Sequence, residues 1–245
     1  MSLAEEPVLH RLVVEVKYRE GLVYLDRCGS IMVSLQRQLG EPFKGSVPTM
    51  NTAELKSSAE RLFVRYGPDS LVVDQAWLET PARVEKVAPT AWQEVAKTLD
   101  LESKVTQCGM RAWLHWRSDS AREAQAVQHS AELLGETETW TSLFGEPKSR
   151  SFAATSELPD GRLLRAAVDS VEMIVQGGKV APDDEKFAMR YALQLDLDFL
   201  LLAPDSLPRE RLQKFIRSSV NDLNRISKSV NTVLNAKRSS NPVPS

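Results

Sequence analysis

A chain of 245 residues, 42% hydrophobic and 26% charged, has the composition of a globular protein and is long enough for one large domain or two small ones. Lys and Arg number 31 against 33 Asp and Glu, so the net charge of -2 argues against a uniformly basic nucleic-acid binder. Two cysteines, Cys28 and Cys108, are too few for a disulfide scaffold and lack CxxC spacing, and both are expected as reduced thiols in apolar surroundings.

The first residues, MSLAEEPVLHRL, carry no cationic start followed by an apolar run. The greasiest stretch, around Phe199–Ala203, falls far short of the ~20 residues that span a bilayer. The expectation is a cytoplasmic chain with no membrane segment.

In chain order, Val8–Tyr18 is rich in β-branched residues, and Val14, Val16 and Tyr18 alternate with Glu15 and Lys17 as in a half-buried strand. From Val23 to Leu39 the period becomes helical, with Leu25, Cys28, Ile31, Met32, Leu35 and Leu39 on one side and Gly40 as the stop. Residues 41–57 read as a polar connector. Arg61–Tyr66 and Leu71–Trp77 flank Gly67-Pro68-Asp69-Ser70 and predict a hairpin. Thr90–Leu99 predicts a short helix opened by Pro89 or Thr90, with Trp92, Val95, Ala96 and Leu99 inward.

Lys104–Arg117 returns to period 2, with Met110, Ala112, Leu114 and Trp116 on one face and Arg111, Trp113 and His115 on the other. Ser120–Leu134 reads as a helix closed by Gly135, followed by a loop through Trp140 and Phe144. Strands are expected at about 149–157 and 162–175 around Pro159-Asp160-Gly161, and again at about 186–202. A long helix from Leu207 to Ala236 closes the fold, with residues 237–245 as a disordered tail. Hairpins dominate and no β-α-β alternation appears, so the class is α+β with mainly antiparallel sheet and covering helices. The chain is read as a single domain over residues 1–236, with room for two pseudo-repeated halves divided near 136–148.

No GxGxxG, GxxxxGK[ST], HExxH or GxSxG motif is present, and His10, His115 and His129 stand far apart without ligand spacing. Three surfaces remain. Asp196 and Asp198 share one face of a strand, a spacing at which two carboxylates can hold a hard divalent cation; a solvated polar face opposite Leu195 and Leu197 explains the same alternation. Arg111, Trp113 and His115 are a candidate face for an anionic or aromatic ligand, or else a sheet face under a helix.

The last helix gathers Leu212, Phe215, Ile216, Ser219, Val220, Leu223, Ile226, Val230, Val233 and Leu234 on one side. Lys214, Arg217, Asn221, Arg225 and Lys228 line the opposite side as a stripe for an acidic partner or phosphates. From Pro204 onward eight Lys/Arg outnumber three Asp/Glu, so this segment carries +5 and the remainder -7 of the net -2.

The VVEVKYRE strand, the Leu62–Trp77 hairpin, the helix around Trp92 leading into Gly109-Met-Arg-Ala-Trp113, and Leu195-Asp-Leu-Asp198 before a long helix resemble a sporadically distributed family of bacterial and archaeal proteins. The central strand ends Leu114-His115-Trp116 where that family carries an aromatic residue and Asn. The resemblance implies this order of elements and a prokaryotic source, and supplies no catalytic residue. The resulting expectation is a non-enzymatic interaction or scaffold protein, self-associating or part of a larger assembly, with no cofactor and no obligatory metal. The alternatives are a nucleic-acid accessory protein using the basic stripe and an enzyme centred on Asp196/Asp198 or Arg111/His115.

Overall fold

The computed structural model describes residues 6–19, 23–40, 43–118, 151–172 and 191–240. Their elements run β1 (Val8–Tyr18), α1 (Tyr24–Leu39), β2 (Lys44–Gly45), β3 (Ala53–Ser57), β4 (Leu62–Tyr66), β5 (Ser70–Ala76) and α2 (Ala82–Leu99). Then follow β6 (Val105–Ser118), β7 (Ser151–Glu157), β8 (Leu163–Glu172), β9 (Tyr191–Leu202) and α3 (Arg209–Ser240). The fold is α+β, one nine-stranded antiparallel sheet in the order β2-β3-β4-β5-β1-β6-β9-β8-β7. The helix expected at Ser120–Leu134, the loop through Trp140 and the division near 136–148 lie outside the described residues.

Apart from the two-residue β2 at one edge, the strand order is pseudo-symmetric about the β1/β6 seam. On one side a meander, β3-β4-β5, returns to pair with β1; on the other, β7-β8-β9 returns to pair with β6. A helix, α2 or α3, follows each meander.

Alternation sorts the sheet into two faces. Leu12, Val14 and Val16 of β1, Met110, Ala112 and Trp116 of β6, and Leu193, Leu197 and Phe199 of β9 are buried with the inward sides of the helices. Trp92 of α2 fixes the layer, because its buried Nε1–H donates to the Leu207 carbonyl at 2.6 Å just before α3. Arg162 pins the β7–β8 turn to α3, donating to Asp160, to Ser219 Oγ at 2.8 Å and to Asp222 at 2.6 Å.

Four expectations are corrected. The connector 41–57 contains β2 and β3, and Ala53, Leu55 and Ser57 are buried while Lys56 faces out: a period-2 strand inside a polar stretch. The short helix begins at Ala82, with Pro89 buried in its interior. Packing of Val84, Val87 and Ala88 outweighs the hydrogen bond that Pro89 cannot make. In α1, Tyr24 rather than Leu25 faces the core; Leu25 is 55% exposed, while Tyr24 meets Tyr66 edge-on at 6.1 Å. Helical backbone in α3 continues to Ser240, past the Ala236 expected from the sequence.

Candidate functional site

The face of the sheet opposite the helices carries the first two candidate sets, and the register joins them. Arg111 lies opposite Asp198 and Trp113 opposite Asp196, with His115 opposite Gln194. Arg111 grips Asp196 through Nε at 2.9 Å and Nη2 at 2.5 Å, a forked charge-assisted pair. Arg11 of β1 grips Asp74 of β5 in the same way, at 2.9 and 2.5 Å. Both guanidiniums lie over the Trp113 ring, at 4.7 Å for Arg111 and 5.3 Å for Arg11. Asp74, Arg11, Trp113, Arg111 and Asp196 thus form one cross-strand ladder over β5, β1, β6 and β9.

This ladder is electrically closed. The Asp196 carboxylate that a cation would need is held by Arg111, and Asp198 stands between Arg111 and Arg165 on its two neighbouring strands. Burial raises the Asp198 pKa above the ordinary carboxylate value, against the opposing pull of Arg111 and Arg165. Among the described residues no three His, Cys, Asp or Glu side chains are grouped as metal ligands. The two aspartates and Arg111 are therefore brought together, with Asp196 held directly by Arg111 and Asp198 half-buried between two arginines.

His115 leaves this ladder and joins a different group, which sequence spacing did not reveal. It is 2% exposed, and its Nε2 pairs with Gln194 Oε1 at 2.8 Å, leaving Nδ1 buried with no partner among the described residues. His10 stacks on it at 4.4 Å and accepts a hydrogen bond from Trp77 Nε1 at 3.1 Å. The contact arises from a register shift between Leu9 and Arg11, a local irregularity with no periodic signature. Burial, then repulsion by His115, lowers the His10 pKa to about 4, and burial lowers that of His115.

The third set lies on the opposite side of the molecule. Leu212, Phe215, Ile216, Ser219, Val220, Leu223 and Leu234 of α3 are buried, Ile226 and Val230 partly so, and Val233 is 42% exposed. Packing against α2 and the sheet around β6 covers most of this apolar face. Lys214, Arg217, Asn221, Arg225 and Lys228 are all exposed. Arg225 pairs with Asp222 at 3.0 Å; among the described residues Lys214, Arg217 and Lys228 make no ion pair. At 1.5 Å rise per residue the row extends about 21 Å. At its Lys228 end a cavity of about 270 Å³ is floored by Leu9, Leu114 and Leu223.

No helix among the described residues is long and apolar enough to cross a membrane. The chain matches no model of a known protein family and no curated protein. The likeness noted in its order of elements therefore carries no family assignment.

Proposed function

We propose that this chain is a non-enzymatic interaction protein, a component of a larger assembly, which docks an anionic face of a partner protein along α3. The observation that carries the reading is the exposed row Lys214, Arg217, Arg225 and Lys228 on the solvent side of α3, three of its cations having no ion-pair partner among the described residues. Charges left unpaired on a rigid element steer and orient an oppositely charged partner at little ordering cost. The sheet face supports the same conclusion from the other direction, since its strongest charges neutralise one another instead of pointing at a ligand.

The test compares affinity captures from the source organism by the wild-type chain and by a Lys214→Glu, Arg217→Glu, Arg225→Glu, Lys228→Glu variant. A stoichiometric protein retained by wild type, released by salt and lost in the variant is the expected result. The same proteins captured by both chains would leave α3 as a merely solvated helix face and overturn the reading. Nucleic acid is the alternative partner for the same row. It predicts steeply salt-dependent binding of a single-stranded or duplex oligonucleotide, measured by fluorescence anisotropy and abolished in the variant.

A further inference from the structure

The two edges of the sheet are built differently. At one end β2 has two residues, Lys44 and Gly45, both exposed, and the chain leaves it towards Pro48. A short strand with a lysine and a nearby proline is the usual defence of an edge against pairing with another chain. At the other end β7 runs for seven residues, Ser151–Glu157 (SFAATSE), without proline and without a charge before its last residue. Ala153, Thr155, Ser156 and Glu157 are exposed, and among the described residues β7 pairs with β8 alone. Among the described residues its outer row of backbone N–H and C=O groups has no strand beside it.

We propose that β7 is a dimerisation edge, where two copies of the chain pair their β7 strands antiparallel about a two-fold axis and continue the sheet from one molecule into the next. This takes from the interaction reading only that the chain belongs to an assembly, and it uses a surface separate from α3.

A second copy is the occupant because an antiparallel pair about a two-fold axis is self-complementary: each strand offers the other the same alternation of donors and acceptors. With the axis at Ala154, Ala153 meets Thr155 of the second copy and Glu157 meets Ser151, so no like charges are opposed. The helix side of the seam matches as well. Ala154 lies opposite Ala166 of β8 and Ser156 opposite Leu164, and Ala166 and Leu164 are partly buried against the core. Joining two edges sets two such apolar margins side by side and covers both.

Sedimentation of the full chain over micromolar concentrations tests this, with wild type, an Ala153→Lys/Thr155→Lys variant and the fourfold α3 glutamate variant. Both lysines replace exposed side chains and face each other across the proposed seam. The expected result is a dimer for wild type and the α3 variant and a monomer for the double-lysine variant. A monomeric wild type, or a dimer that survives the two lysines, overturns the proposal. A dimer lost only in the α3 variant assigns self-association to α3 and overturns it too. Should the double variant fail to fold, hydrogen exchange on wild type decides. Protection of β7 amides that rises with protein concentration supports the edge, and protection independent of concentration refutes it.

Discussion

Ser219 shows how a single residue acquires its meaning from a distant one. On α3 it falls within the apolar stripe, fully buried, where a hydroxyl without a partner would be costly. Arg162, from the β7–β8 turn, donates to it and to Asp222, and its guanidinium is itself 7% exposed. Removing this cation leaves Ser219 unsatisfied and loosens the hairpin from the helix. Arg162→Met is expected to lower unfolding free energy by about 2–4 kcal/mol, measured by urea denaturation. Burial alone would raise the Asp222 pKa, but its bonds to Arg162 and Arg225 outweigh that and hold it below the ordinary value. That contribution is present above the unfolded carboxylate pKa and is lost as pH falls through the lowered folded value.

His10 adds acid sensitivity of the same sign at milder pH, because there protonation introduces a buried charge instead of removing a paired one. Its folded pKa of about 4 lies below the ordinary 6.5, so between these values the unfolded chain binds a proton that the folded chain does not. Stability is therefore complete above pH 6.5 and falls as pH drops towards 4, as protonation sets a cation against His115 and removes the acceptor of Trp77 Nε1–H. Thermal melts of wild type and His10→Gln between those limits check it. The slope of melting temperature against pH is expected to be shallower in the variant; equal slopes would locate the acid sensitivity elsewhere.

At the scale of elements, each local pattern succeeded where one face is apolar and the other charged. Val8–Tyr18 is a strand with the expected bounds, and the Gly67–Ser70 turn joins β4 to β5 as its residues require. Polar composition hid β3, although Ala53 and Leu55 alternate with Glu54 and Lys56 in plain view. Pro89 hid the first half of α2, because a proline reads locally as a helix start while the burial of Val84, Val87 and Ala88 that offsets it inside the helix is tertiary. Most of the apolar face of α3 is buried in the core it shares with α2 and the sheet, and the exposed cationic row lies on its other side.

At the scale of the whole molecule the seam governs behaviour. β1 is bonded on one side to β5 from Arg11 to Lys17 and on the other to β6 from Val8 to Tyr18, so the two meanders share a continuous core. Neither can open without exposing residues buried by the other. A single unfolding transition is expected, with calorimetric and van't Hoff enthalpies equal; two resolved transitions would mean that the halves fold independently.

By itself the sequence determined the periods, and with them most strands and helices, the inward and outward side of each, and the α+β class. These depend on residues within a few positions of one another, and a period of 2 or 3.6 is written directly in the order of side chains. Only the tertiary structure decided which strands are neighbours. Arg111 meets Asp196 across 85 positions, His10 meets His115 through an irregularity in register, and the stretch SFAATSE becomes an edge rather than a central strand. Long-range pairing leaves no periodic trace, because strands of like pattern pair equally well until turns, helices and packing select one order. That selection closed Asp196 into a charge ladder with Arg111 and left exposed the α3 row and the β7 edge, the two surfaces we propose for partners.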